Sequence, residues 1–223
     1  MKVLTYHNID TPPKEAKLKT LYLKPKKFQR QLWLLQRLGF SSSSAEKFNL
    51  SEKEVLLTFD DGYKDFIENA LPVVKKYRFR ATVFIVADLV GKYNKWDWRK
   101  LNVKKYLMDW KDIEYIMKEG IEIGSHTLTH PFLTQLDPKE AIKEIEYSKK
   151  KLEDRLGVEI KSFCYPYGDY NEQIRDVVES VGYKNAFTTK EGPFETEDDP
   201  FQIRRLTVFG NMDIFRFGWK VVF

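Results

Sequence analysis

Seven short apolar runs recur along the chain, each of strand length and rich in β-branched or aromatic residues, and the stretches between them place apolar residues at helical spacing. The runs are KVLTY (2–6), VLLTF (55–59), ATVFIVA (81–87), IEIGS (121–125), KSFCYP (161–166), NAFTT (185–189) and IRRLTVF (203–209). Strands that alternate with helices return past a crossover, which makes them parallel and buries both faces of the sheet. The spacing predicts helices over 26–38, 64–77, 110–119, 137–156 and 171–181. The clearest signals belong to DPKEAIKEIEYSKKKLEDRL, with Asp137 as N-cap, Pro138 at the first helical position, Glu140 three residues after the cap and Gly157 at the end. Its stripe of Ala141, Ile145, Ser148, Leu152 and Leu156 marks one buried face. Seven strands with intervening helices are too many for a small sandwich, and they suit an α/β barrel of irregular outline better than an open doubly wound sheet.

A chain of 223 residues is long enough for one large domain with a substantial core, read here as spanning 1–223. The SSSS at 41–44 reads as a loop. The segment 91–109, GKYNKWDWRKLNVKKYLMD, is long for a βα connection and mixes aromatics with cations; it reads equally as a packed surface insertion or as a lid or sugar-stacking wall. Lysine and arginine outnumber acids by 38 to 33, but the charges lie in mixed clusters of solvated helix faces, so no nucleic-acid partner is expected. The single cysteine, Cys164, excludes an intramolecular disulfide. No apolar run approaches the roughly 18 residues of a membrane span, and MKVLTYHNID lacks the features of a secretory signal. The expected location is the cytoplasm, with a membrane-facing substrate in view, and the oligomeric state is left open.

Parallel α/β folds carry chemistry at the carboxyl ends of their strands. There the chain places Asp60 and Asp61 after VLLTF, His126 and His130 after IEIGS, His7 after VLTY, and Tyr167 after SFCYP. All three histidines of the protein therefore fall at predicted strand ends. Four residues apart, His126 and His130 would share one side of a helical turn, at chelating distance, before Pro131 stops it. Alone, that pair is a weak signal, and a lone DDG reads as a capped turn. Together they suggest why two carboxylates stand side by side: an aspartate bound to a cation no longer repels its neighbour, which remains free as a base. Two imidazoles and one carboxylate leave coordination positions open, and a base beside acidified water points to hydrolysis.

TFDDGY, GSHTLTHPFL and YPYG, in that order, resemble three motifs of the polysaccharide deacetylases of the NodB-homology type, carbohydrate esterase family 4, and the resemblance runs over nearly the whole chain. It implies a single distorted (β/α) barrel of the glycoside hydrolase/deacetylase type that removes N- or, less expected, O-acetyl groups from an acetylated saccharide. The implied cofactor is a divalent metal, zinc first, with cobalt or nickel as alternatives. Carried over by position, Asp60 is the general base, Asp61, His126 and His130 are the metal ligands, and the Tyr167 N–H, in a loop shaped by Pro166, helps hold the oxyanion. Two departures stand out. The third motif often begins with an arginine, whereas here Cys164 occupies that place, with small apolar packing as its expected role. Arg205 could supply the cation from a neighbouring strand, with Arg204 as the competing choice. The usual C-terminal histidine is absent, which leaves His7 as the general acid, against a reading in which it merely packs beside Tyr6. A carbohydrate-binding pseudoenzyme is the alternative these departures motivate. A phosphatase of the haloacid-dehalogenase kind is weaker, because that pattern needs D-x-D.

Overall fold

The structure, a computed structural model, describes residues 2–46, 52–195 and 198–222. Its elements run β1 (Lys2–Tyr6), α1 (Pro25–Arg37), β2 (Ser41–Ser42), β3 (Glu54–Phe59), α2 (Leu71–Lys76), β4 (Thr82–Ile85), α3 (Trp98–Leu101), α4 (Trp110–Lys118), β5 (Glu122–Ser125), α5 (Pro138–Leu156), β6 (Ser162–Cys164), α6 (Glu172–Ser180), β7 (Asn185–Phe187), β8 (Leu206–Thr207) and α7 (Ile214–Val222). One curled sheet carries all eight strands described, in the order β7-β6-β5-β4-β3-β1-β8 with β2 pairing with β3 off this path. Every pairing is parallel. A single segment links the two ends of the curl: Ile203 bridges to Phe187 at the end of β7, while Leu206 and Thr207 pair with Leu4 and Thr5 of β1. The expected distorted α/β barrel is the architecture found.

Strand parity sorts the side chains into two cores. Leu4 and Tyr6, Val55, Leu57 and Phe59, and Val83 and Ile85 join the large outer cluster beneath the helices. The alternate positions Val3, Leu56, Phe84, Cys164 and Phe187 form a separate inner cluster with Ile203. Continued to the carboxyl ends, this inner parity reaches His7, Asp60 and His126, so regular strand geometry alone brings these three toward one mouth. Space inside is tight. A Cβ on Gly124 would lie 2.4 Å from Cδ1 of Phe84, so only glycine lets that ring fill the barrel.

Several expectations are corrected. Ser41 and Ser42 form β2 rather than loop. The helix expected over 64–77 is a π-turn, Phe66–Ala70, followed by α2, because Pro72 has no N–H to give the preceding turn. The run 203–209 keeps only two residues of strand, since its first part serves the β7 end and its second part β1. Neither α3 nor α7 was anticipated: the first is a single turn, and the second shows apolar residues on both its inner and outer faces, which hides the helical period. In α5, Asp137 accepts from the N–H groups of Lys139 and Glu140, and Gly157 ends the helix at φ 68°, as the sequence signals require. No helix among the described residues is long and apolar enough to cross a membrane.

Candidate active site

Asp60 extends the inner face of β3 and is 4% exposed. Both of its carboxylate oxygens are taken by Arg205, Nη1 to Oδ1 and Nη2 to Oδ2, each at 2.8 Å. The guanidinium is satisfied all round: Nε donates to the Thr188 carbonyl at 2.7 Å, Nη1 also reaches Oγ1 of Thr58, and Nη2 lies 3.1 Å from Sγ of Cys164. At 1% exposure, Arg205 lies beneath the site, against Asp60, where a cation from a neighbouring strand was expected, rather than at a substrate-facing surface. Arg204 points to solvent and pairs loosely with Asp198. Burial pushes the Asp60 carboxyl upward, but the charge and hydrogen bonds of Arg205, helped by His7 and His126, outweigh it and hold the group below its ordinary value. His7 follows β1, whose register sets Tyr6 opposite Phe59, and its Nε2 stands 4.0 Å from Oδ2 of Asp60.

Asp61 turns away from strand parity at φ 73°. Its Oδ1 lies 3.5 Å from Nε2 of His126 and 3.3 Å from Nε2 of His130. These histidines do not share a helical turn. They sit in a loop after β5 in which Thr127 and His130 have φ of 65° and 67°, and the Thr127 hydroxyl accepts the His130 N–H. Four of the six non-glycine residues with positive φ among those described, Asp61, Thr127, His130 and Tyr167, belong to this site, so backbone strain is concentrated where geometry is most demanding. The loop is clamped by Glu144 of α5, which accepts from the N–H groups of Leu128 and Thr129 and from the Thr129 hydroxyl.

The donor chemistry and spacing fit a divalent metal. Tetrahedral zinc with ligand bonds of about 2.0–2.1 Å spaces its ligands about 3.3–3.4 Å apart, close to the two separations measured at Asp61. The ligand atoms of Asp61, His126 and His130 all lie within 4.8 Å of one another. His126 suits this task, because its Nδ1 lies 2.7 Å from the Cys164 carbonyl, a partner that would keep the ring proton and leave Nε2 for a cation. Burial lowers its imidazole, but Cys164 and Asp61 outweigh burial and hold it well above its ordinary value, so a cation would displace a proton here. Burial lowers the His130 imidazole and favours the neutral form that can ligate. Hydrogen bonds from both histidines outweigh the burial of Asp61 and hold its carboxyl well below the ordinary range. A second trio, Asp60, His126 and Cys164, is equally compact. It suits a cation poorly, since the Arg205 charge already lies against both Asp60 and Cys164.

One rim of the site is the Tyr165–Asp169 loop. Pro166 is buried, Tyr167 turns at φ 60°, and the two hydrogen bonds that close the turn use the N–H groups of Gly168 and Asp169, not that of Tyr167. The Tyr167 ring stands edge-on to His130 at 4.5 Å and stacks on Phe132 at 3.9 Å. Another rim comes from the 91–109 insertion, an ordered excursion in which Tyr93 bridges Tyr106 and the Asn94 side chain ties to Asp97, Val103 and Lys105. It lays Trp96 on His130 at 4.6 Å, nearly parallel. Trp96, the Cys164 carbonyl, Thr127 and Glu144 escaped sequence reasoning. Only Trp96 carried a signal there, as an aromatic in an insertion already suspected of forming a wall.

Comparison with known proteins agrees with this geometry. Residues 47–186 match the family model for polysaccharide deacetylase. The chain is 28% identical to YxkH of Bacillus subtilis (strain 168), covering 98% of this chain and 75% of that protein. It is 27% identical to the poly-beta-1,6-N-acetyl-D-glucosamine N-deacetylase of Staphylococcus aureus (strain MRSA252), covering 73% of this chain but 57% of that one. The fold superposes on the Streptococcus pyogenes deacetylase PplD, solved in complex with acetate, with a TM-score of 0.85 and 25% identity over 99% of this chain and 97% of the other. A barrel whose strand ends carry the DDG and paired-histidine segments, matched by model, sequence and structure together, places this chain in the polysaccharide deacetylase family.

Proposed function

We propose that this protein is a divalent-metal hydrolase that removes the acetyl group from an N-acetylated hexosamine unit of a saccharide. The observation that carries the reading is the division of labour between neighbouring carboxylates: Asp61 meets two imidazole nitrogens, while Asp60 is held apart by Arg205. Asp61, His126 and His130 would hold the metal, with zinc the best match to the donor set. Bound there, the cation would supply Lewis acidity toward the acetyl oxygen and toward water.

The remaining work falls to the chain itself. Asp60, kept anionic by Arg205, accepts the proton from the attacking water. The Tyr167 N–H, free of the turn's internal bonds, donates to the oxyanion that develops on the acetyl carbon. His7, partly exposed on the other side of Asp60, gives a proton to the departing amine. Trp96 and Tyr167 flank the mouth as apolar faces against which a pyranose ring can lie. Against the pseudoenzyme alternative stand Arg205, which meets Asp60 from beside Cys164, and His7, whose Nε2 is 4.0 Å from Asp60.

The experiment is acetate release from N-acetylated chito-oligosaccharides and from poly-N-acetylglucosamine, with the protein treated with chelator and then resupplied with zinc. Release that is lost with chelator and restored with zinc is expected. A zinc-loaded protein that binds these glycans and releases no acetate overturns the reading.

A further inference from the structure

From Ala16 to Ala45 the chain carries seven lysines and arginines and no aspartate or glutamate. That segment includes α1, where Lys26, Arg30, Trp33 and Arg37 are all exposed. Their spacing of four, three and four puts them along one outward stripe. Beside α1 packs α7, whose inner face is buried through Phe217 and Val221. Its outer face, where charged residues are expected, is apolar instead: Phe215 is 87% exposed and Trp219 65%, with Val222 one turn on. Gly218, where a Cβ would lie 3.2 Å from Leu34, lets the helices approach closely. Between them runs an apolar groove of about 480 Å³, lined by Trp33, Leu34, Leu38, Ile214, Phe215 and Trp219 among others.

Cations surround this patch. Lys26, Arg30, Arg37 and Arg216 form no ion pair with the described residues, whereas Lys220 is paired with Glu191. Asp213, the only acid between Ile203 and Val222, is engaged in capping α7 through the Arg216 N–H.

We propose that the α1–α7 flank docks on an anionic phospholipid bilayer, with Phe215, Trp219 and Trp33 entering the interface and the basic stripe meeting the headgroups. The chemistry selects this occupant. An interfacial helix combines Trp and Phe on one face with Lys and Arg around it, and each basic residue near the surface adds to the attraction. A second copy meeting the same face about a two-fold axis would set Arg30 and Arg37 against their own counterparts, so like charges oppose that partner. None of the patch residues belongs to the catalytic site, so docking leaves that site's residues in place.

The test is co-sedimentation of the whole protein with vesicles of phosphatidylcholine alone and of phosphatidylcholine mixed with phosphatidylglycerol, across a salt series. Binding to the anionic vesicles, weakening with salt, is expected. Replacing Phe215 and Trp219 by serine should lower partitioning about tenfold or more. Reversing Arg30 and Arg37 to glutamate should do the same and flatten the salt dependence. Both variants should release acetate from a soluble oligosaccharide at the parent rate, which shows that they fold. Failure to bind anionic vesicles, or binding that both variants retain, overturns the proposal. So does a parent protein that self-associates through this face in a manner the serine variant abolishes.

Discussion

On the β3–β5 side of the site, Asp61, His126 and His130 converge through loops bent into left-handed backbone, and their side chains answer one another with groups whose charge can change. Asp60, on the inner parity of β3, and Arg205, just before β8, meet from positions 145 residues apart and are joined by two short charge-assisted bonds. The first arrangement is poised for something that is not protein: strain and a shared focus without a permanent cation. The second is complete in itself, because Arg205 cannot lose its charge. Adjacent carboxylates thus acquire different surroundings, and closure of the barrel is what brings Arg205 to Asp60, the residue proposed as the base.

The largest effect expected is chemical. Asp60→Asn should cut acetate release by about a thousandfold while zinc binding, measured by calorimetry, stays intact; a variant that loses metal along with activity would merge the two sides. Next comes Arg205→Met, which strands a buried carboxylate and should cost about 3–5 kcal/mol in denaturant unfolding. The sign of its pH dependence follows from Asp60. Its folded value is depressed in the parent, so the associated stability is present at neutral pH and is lost as pH falls through that value. In the variant burial dominates, and the acid limb of the pH–rate profile should move to higher pH.

A swap sharpens the contrast further. Cys164→Arg alone crowds a second guanidinium against Arg205 and should destabilise the fold, whereas Cys164→Arg combined with Arg205→Met should recover stability relative to Arg205→Met alone, as measured by thermal unfolding. Trp96→Ala should raise KM severalfold with a smaller change in kcat, since the ring flanks His130 without reaching the reacting atoms. The smallest effect on activity lies at the amino-terminal end of β5. Burial, with Glu46 nearby, pushes the Glu122 carboxyl up to about 7. Because that folded value lies above the unfolded one, stability declines as pH rises from about 4.5 to about 7. Glu122→Gln should therefore stabilise the fold more at pH 8 than at pH 4, by up to about 3 kcal/mol, with acetate release unchanged.

Much of this was legible in the chain, and the limits have physical causes. Strand β1 and helix α5 match their sequence signals to within a residue, because each carries strong local information: a full apolar run in one, a cap, a proline and a terminal glycine in the other. The convergence of Asp61, His126 and His130 was visible from strand ends, but the helical turn assumed for the histidines was not the means. Positive φ at Thr127 and His130 brings the rings together, and nothing in H-x-x-x-H announces it. Arg205 could not be separated from Arg204 because β8 is two residues long and has no alternation to read. Trp96 reaches the site through a ladder between Tyr93 and Tyr106, a nonlocal pairing without a turn signature.

The central claim is that one cation is held by Asp61, His126 and His130 while Asp60 stays outside its shell in the grip of Arg205. Anomalous diffraction at the zinc edge, from crystals grown with that metal, tests it directly. The account predicts a single strong peak about 2.0–2.1 Å from Oδ1 of Asp61 and from Nε2 of both histidines, with the Asp60–Arg205 bonds unbroken. A peak among Asp60, His126 and Cys164, or none at either trio, would contradict it.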